Sequence, residues 1–346
     1  MKSELNENQN WTWVVIRSGE QDSVSALPLI RALLNSSKNS ILIWCDQNSR
    51  AIFKLALDRG LSEFFNRVKV ISFKFELARW PSVERLINQA NLEFPPQELI
   101  CLDDHFSSAY LVLRASCKIK VGFSKNHFSF LYSRIVPSSL ESTMTQAARF
   151  MELPKIETSI QNIWSPKTHS SLLGQNLSKS ADHYCVSLRA SAPSAEWPLE
   201  NLRDFIRECL KEGISISLLA DTHQSAQVTE IMEYFKSPLI KSYLGASLEK
   251  EIELLESSAL LVSNDSRDTI LASELAVPIL ALFGPTLPEF GNAPWRRHSK
   301  VLGVANLACR PCHFRAPETC PKKHHKCLKD IAGSQVFFEA QRLLKS

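Results

Sequence analysis

Glycine is scarce: ten in 346 residues, none of them set out as G-x-G-x-x-G or G-x-x-x-x-G-K-[ST]. That excludes an ordinary dinucleotide fingerprint and a P-loop, which need glycine where backbone approaches phosphate. No run of about 18 apolar residues occurs, so no membrane-spanning helix is expected. An excess of one charge is also lacking. Forty Lys and Arg against 36 Asp and Glu leave +4, too little to argue for nucleic acid as a partner. Low-complexity tracts and short-period repeats are missing too. The first ten residues are polar and carry both signs of charge, unlike a secretion signal, so a soluble intracellular protein is expected.

What is present is enough apolar residue, 44%, for two cores, and a length of about two domains. Short apolar runs alternate with helical patterns. Strands are expected at Trp13–Ile16, Ile41–Cys45, Val68–Phe73, Leu99–Leu102 and Ile119–Phe123, with helices over Ala26–Leu34, Ala51–Leu57 and Ser107–Leu113. From about 154 to 180 the chain turns rich in Ser, Asn, Thr and Lys and loses its period, as a linker does. Alternation then resumes with strands at His183–Leu188, Ile214–Ala220 and Ser242–Leu244, and helices over Leu199–Leu210, Ala226–Phe235 and Leu248–Leu255. A last helix is expected over Gln335–Leu344. The fold class is α/β, with parallel sheets covered by helices on both faces.

The run from Leu260 to Thr286 is the most informative. Leu260–Ser263 reads as a buried strand and Asn264-Asp265-Ser266 as a turn with N-cap residues. An apolar-faced helix follows and ends at Pro278, and Ile279–Phe283 is a second strand entering Gly284-Pro285-Thr286. Such a β–α–β unit puts a helix N-terminus and two strand ends on one edge, where α/β sheets bind phosphorylated ligands. It also recurs in α/β folds with no ligand there.

Four pieces in order resemble glycosyltransferase family 9, the heptosyltransferases of the lipopolysaccharide inner core. They are Ile16–Leu33, with its Pro28-Leu29-Ile30-Arg31-Ala32-Leu33 helix; Lys120–Phe123 with Phe130-Leu131-Tyr132; Leu244–Glu249 leading into Asn264-Asp265-Ser266 and Phe283–Thr286; and the Cys309–Cys327 tail. The resemblance implies a GT-B fold, two Rossmann-like doubly wound domains facing a central cleft. Residues 1–160 would form the acceptor-side domain, 161–180 the linker, 181–333 the nucleotide-sugar domain with a cysteine-rich basic tail, and 334–346 a C-terminal helix. It implies an inverting transferase moving heptose, or a related sugar, from an ADP-sugar to a lipopolysaccharide core or similar lipid-linked acceptor. The enzyme would work at the inner face of the cytoplasmic membrane as a peripheral protein, and no metal would be needed for the chemistry.

Inverting transfer needs a base for the acceptor hydroxyl, and positive charge or aimed N–H groups for the diphosphate. Asp22, read as lying in the loop after the first strand, matches the family's catalytic Asp; a helix cap is the alternative. Gln21 stands where the family has Gly, and that loop is one residue shorter. On the donor side, Asn264, Asp265 and Ser266 match the family's Asn/Asp-Ser/Thr-Gly turn, and Thr286 has a hydroxyl to offer the phosphates. The match then breaks. Arg267 replaces the Gly and Ile270 the His, and Ala195 stands two residues before Trp197-Pro198, where the family has a diphosphate-binding Lys. Arg267 could bind phosphate or pair with Asp268 on the surface. Arg189 could supply the missing charge or be an ordinary surface residue. These departures keep open a second function, an impaired relative that binds a sugar nucleotide or a partner protein without transfer.

Nine cysteines are present. Five are isolated among apolar residues and read as core. Cys309, Cys312, Cys320 and Cys327 lie close enough in sequence for a structural zinc, or for an inherited loop lock, although the second C-x-x-C of a zinc ribbon is missing. Six Lys or Arg against two acids between Cys309 and Asp330 make this tail basic. With Lys322, Lys323, Arg296, Arg297 and, in the first half, Arg17, it offers a surface for anionic lipid or phosphorylated saccharide.

Overall fold

The computed structural model describes residues 10–74, 80–137, 146–154, 173, 180–290, 292–295, 298–313 and 315–345. Arg296, Arg297 and the expected linker, apart from Leu173 and Ser180, lie outside them. The chain forms two compact units, the second taking in Leu173 onward.

The first unit runs β1 (Trp11–Ile16), α1 (Glu20–Ser36), β2 (Ser40–Cys45), α2 (Arg50–Arg59), β3 (Val68–Ser72), α3 (Trp80–Glu93), β4 (Pro96–Cys101), α4 (Phe106–Arg114), β5 (Ile119–Phe123), β6 (Arg134–Val136) and α5 (Gln146–Met151). Its strands pair in the order β3-β2-β1-β4-β5-β6, and every pairing is parallel. Strands β1 and β2 are buried at all six positions. Their apolar runs suit central parallel strands, which are covered on both faces. Val14 lies between Ile43 and Ile100, and in the core between sheet and helices Trp44 meets Phe73 edge to face and Trp13 at a tilt.

The second unit runs β7 (Ser180–Ser187), α6 (Leu199–Lys211), β8 (Ser215–Ala220), α7 (Ser225–Phe235), β9 (Ile240–Leu244), α8 (Leu248–Ser257), β10 (Ser258–Asn264), α9 (Arg267–Glu274), β11 (Ile279–Leu282), β12 (Ser299–Leu302), α10 (Lys326–Lys329) and α11 (Gly333–Lys345). The sheet order is β12-β11-β10-β7-β8-β9, again parallel throughout. Counted from its own first strand this is 3-2-1-4-5-6, the order of the first unit. Val262 lies between Val186 and Leu280. The final helix packs on α6 through Phe205 and Phe337. Gly333 sits so close to α6 that a Cβ there would meet the Asn201 carbonyl oxygen at 2.3 Å.

In each sheet the strand order reverses between the first and fourth strands, and ligands of such folds bind outside the carboxyl ends at that point. Those ends are Arg17 and Leu102 in the first unit, and Leu188 and Asp265 in the second. All ten expected strands form, within a few residues. Two edge strands, β6 and β12, and the helices α3, α5 and α10 were not anticipated.

Candidate active site

At the carboxyl edge of the first sheet, the Arg17 backbone N–H donates to Asp103 Oδ2 at 2.5 Å. This ties the end of β1 to the end of β4. The Arg17 guanidinium lies 4.3 Å from the Phe73 ring centroid and Nη2 donates to the Phe73 carbonyl at 3.3 Å. Its Nε and Nη1 are buried without a hydrogen-bond partner among the described residues. Burial lowers the Arg17 pKa against the pull of Asp103 and Asp46.

Asp22 stands elsewhere than the sequence suggests. Helix α1 begins at Glu20, not near Ala26, with Gly19 at φ 98° as its N-cap, so Asp22 is in the first helical turn rather than in a loop. The polar run stays helical for two reasons. Acidic residues favour the positive end of the helix dipole, and Ser23 and Ser25 donate back to the Gly19 and Gln21 carbonyls at 2.9 and 3.0 Å.

Asp103 is a residue that sequence reasoning passed over. It is buried, and its Oδ1 also accepts from the His105 N–H at 3.1 Å. Burial raises its pKa against the hydrogen bonds from the Arg17 and His105 backbone N–H groups. Asn126 Nδ2 donates to the Asp103 carbonyl and to the Tyr132 hydroxyl, both at 2.6 Å. The signal was available: Asp103 follows an expected strand end just as the Asp22 segment does.

At the second sheet's edge, the Asn264–Ser266 turn has the expected shape. Ser266 caps α9, its Oγ accepting the Asp268 N–H at 3.3 Å. The side chains around it are occupied by the protein itself. Asn264 Nδ2 donates to the Leu188 and Arg189 carbonyls at 3.2 and 3.0 Å, and Oδ1 accepts the Trp197 N–H at 3.1 Å. Trp197 Nε1 in turn donates to the Ile331 carbonyl at 3.0 Å. Thr286 donates its hydroxyl to Asp265 Oδ2 at 2.7 Å, so that proton is not offered to a phosphate as expected. Asn292 Nδ2 reaches Asp265 Oδ1 at 3.0 Å. Burial raises the Asp265 pKa against the hydrogen bonds from Thr286, Asn292 and Ser191.

The two arginines proposed for the diphosphate are instead joined in one buried network. Arg189 meets Asp221 at 2.8 Å, Glu251 at 2.7 Å and Asp268 at 3.2 Å. Arg267 binds the other Glu251 oxygen and lies 3.6 Å from Asp268. Glu251 and Asp268 are almost fully buried, and Ser187 Oγ donates to Asp268 at 2.6 Å. Arg189 is therefore no surface residue, and the partly exposed Arg267 pairs with a buried Asp268. The net effect of Asp268 and Glu251 outweighs burial and raises the Arg189 pKa. Ile270 is buried in the core.

The tail carries a further correction. Arg310 is not part of a surface patch: it donates to the Gly284, Val304 and Thr286 carbonyls at 2.7, 3.0 and 3.2 Å. The Cys312 N–H donates to the Pro285 carbonyl at 2.9 Å, so the tail fastens the Gly284-Pro285-Thr286 loop. Lys322 and Lys323 are exposed. All nine cysteines are free thiols. Cys309 Sγ lies 3.6 Å from His324 Nε2, but Cys327 is turned into the core. Around Cys320, burial opposes but four backbone N–H groups, from His325, Lys322, His324 and Lys323, prevail and lower the thiol pKa. Among the described residues no three His, Cys, Asp or Glu are grouped to hold a metal ion. Burial raises the Cys327 pKa, and Cys312, Cys320 and Cys309 lie near enough to raise it further.

A model of glycosyltransferase family 9 (heptosyltransferase) matches residues 97–324, more than half the chain. The chain belongs to glycosyltransferase family 9. Within the family it is 40% identical over 88 residues to lipooligosaccharide heptosyltransferase 2 of Campylobacter jejuni, covering 25% of this chain and 26% of that protein. To lipopolysaccharide heptosyltransferase 2 of Salmonella typhimurium it is 23% identical over 227 residues, covering 64% of this chain and 63% of that protein. The chain thus spans less than two thirds of either relative. The structure of E. coli ADP-heptose lps heptosyltransferase II superposes with a TM-score of 0.69 at 18% identity, over 96% of this chain and 98% of that one. The GT-B fold of the family 9 heptosyltransferases is the fold of this chain.

Proposed function

We propose that this family 9 protein transfers heptose, or a closely related sugar, from an ADP-linked donor to a lipopolysaccharide core or similar lipid-linked acceptor, with inversion. The observation that carries the reading is Asp22, held in the first turn of α1 at the carboxyl edge of β1, where the switch point of the sheet opens. A carboxylate there sits at the positive end of the helix dipole, where it serves as the base that an acceptor hydroxyl needs. Asp22 accepts the proton of the acceptor hydroxyl as that oxygen attacks the anomeric carbon, and the nucleoside diphosphate departs.

On the donor side, the backbone N–H groups opening α9 hold the diphosphate, the part the helix dipole favours. Asn264, Asp265, Ser266 and Thr286 shape that turn through their internal hydrogen bonds rather than by touching phosphate. Asp103, through the Arg17 N–H, positions the segment that carries Asp22. The ADP-heptose donor and the lipopolysaccharide acceptor follow the similarity to E. coli ADP-heptose lps heptosyltransferase II and to lipopolysaccharide heptosyltransferase 2 of Salmonella typhimurium.

A second reading is favoured by one observation. Arg189 and Arg267, the cations nearest the degenerate motif, are committed to carboxylates. With these two described arginines committed, the chain would bind a sugar nucleotide without transferring it.

One experiment separates the two. Purified protein is incubated with ADP-heptose and deacylated inner-core acceptor, and product is followed by mass spectrometry. Product expected from the unaltered chain falls by about 10²–10⁴-fold in Asp22→Ala. Donor binding by calorimetry with no product from the unaltered chain would establish the second reading instead.

A further inference from the structure

We propose that the outer face formed by α4 and the neighbouring turn Ser129–Leu131 is a surface that seats on an anionic phospholipid bilayer. Among the described residues twelve large hydrophobic side chains are exposed, and five of them lie between Phe106 and Ile135. Phe106, Tyr110 and Leu113 follow the i, i+4, i+7 spacing that puts them on one stripe of α4. Phe106 is 60% exposed and Leu113 58%. Phe128 carries the stripe onto the turn, 6.1 Å from the Phe106 ring and 6.5 Å from Phe130. Phe130 is 77% exposed.

The charges around this stripe choose its partner. From His105 to Pro137 the chain has five Lys or Arg, two His and no Asp or Glu. Arg114 and Arg134 pair with Glu84 and Glu98 at 2.9 and 3.3 Å. Lys118 and Lys125, both exposed, and Lys120 remain as positive charge beside the stripe. Acids border it too: Asp104, 3.6 Å from His127 Nδ1, and Glu84, which Arg114 neutralises. Rings and Leu113 reach the headgroup and acyl boundary while lysine ammonium groups meet lipid phosphates, a division of labour that amphipathic membrane surfaces use. A second copy of the chain is a poor occupant, because a two-fold contact through this face brings its lysines against the same lysines.

The surface rests on the lipid-linked acceptor proposed above only for its purpose; its test does not pass through turnover. The full chain is floated with vesicles of phosphatidylglycerol and phosphatidylethanolamine, and with phosphatidylcholine vesicles as the neutral comparison. Partitioning into the anionic vesicles is expected, weakening with salt. Phe106→Ser with Phe130→Ser is expected to lower it about tenfold. Lys118→Glu with Lys125→Glu is expected to lower it by at least the fivefold that each charge contributes near an anionic surface, about 1 kcal/mol per lysine. Unchanged thermal midpoints and unchanged transfer to the water-soluble deacylated acceptor show that each variant is folded. Partitioning equal for both vesicle types, or unaltered in both variants, overturns the proposal. So does a concentration-dependent dimer lost in the phenylalanine variant without any vesicle binding. An inactive chain that still binds anionic vesicles through these residues sinks the transferase reading and leaves this one standing.

Discussion

At the scale of single residues, the segment that departs from the expected pattern is bound into a charge network of this chain. Arg267 stands where the family has Gly, and it brings its own counter-charges: Glu251 on α8 and Asp268 one position on. Asp268 also serves Arg189 and Ser187. Removing one partner from such a network leaves a buried charge exposed to low dielectric, which costs more than the network gains. Arg267→Gly, which restores the family residue, is therefore expected to destabilise the chain by about 1.5–3 kcal/mol, the range for a charged hydrogen bond. Asp268→Leu alone is expected to be at least as costly, since Arg189 and Ser187 lose an acceptor. The double variant should cost less than the sum by more than about 0.5 kcal/mol. Urea midpoints at constant m-value measure this, and strict additivity would show that the two charges do not act together. Of this only the Arg267–Asp268 pair was legible in the sequence; its tie to Glu251, Arg189 and Ser187 was not. The Asn264–Ser266 turn was, because N-cap grammar is local, whereas Arg189 and Asp268 lie 79 residues apart and only the pairing of β7 with β10 brings them together.

At the scale of elements, the buried strands were legible and the edges were not. Strands β1, β2, β10 and β11 are buried throughout, so each shows an unbroken apolar run. Strands β6 and β12 are partly exposed, and Arg134-Ile135-Val136 or Ser299-Lys300-Val301-Leu302 has no such run to find. The start of α1 was misread for a different reason: Glu20 to Ser25 is polar, and its serines are satisfied only by back-bonding that the helix itself creates. The consequence is that Gly19, not a loop, decides where Asp22 points. Gly19 has φ 98° and ψ −177°, a region open essentially to glycine, with about 1–3 kcal/mol of strain for other residues. A Cβ there would meet nothing within 4 Å, so strain is the whole cost. Gly19→Ala is expected to lower stability by about 1–3 kcal/mol and to slow transfer by reorienting the first turn with Asp22 intact. Gly213→Ala is the control: φ is 73°, nothing lies within 4 Å, and it sits at the end of α6. Equal loss of transfer in both variants would mean that strain acts through general stability and not through Asp22.

At the scale of the whole molecule, the two units repeat one topology, and each presents its switch point at the carboxyl ends of its first and fourth strands. Topology alone therefore makes both edges candidates for the nucleotide. Their chemistry separates them. The first edge carries Asp22, Asp103 and an arginine whose guanidinium is turned onto Phe73, a setting for hydroxyl chemistry more than for a diphosphate. The second carries an eight-residue helix opening behind a capped turn, fastened by Thr286, Asn292 and the Arg310-bound loop. Backbone N–H groups there are already aimed, so little ordering is left for the ligand to bring about. ADP is thus expected to bind the second unit. At about 100 times its dissociation constant it should stabilise that unit by about 2.7 kcal/mol. Hydrogen exchange read by mass spectrometry should slow at the β10–α9 turn around 264–268 and at the 284–286 loop, with 17–22 unchanged. Slowing confined to 17–22 would instead place the nucleotide on the first unit and exchange the roles of the two edges. The internal bonds of the turn make the first outcome specific: the hold proposed for ADP is the backbone N–H groups opening α9, so Asn264→Ala, which frees the turn from Leu188, Arg189 and Trp197, should weaken protection at 264–268.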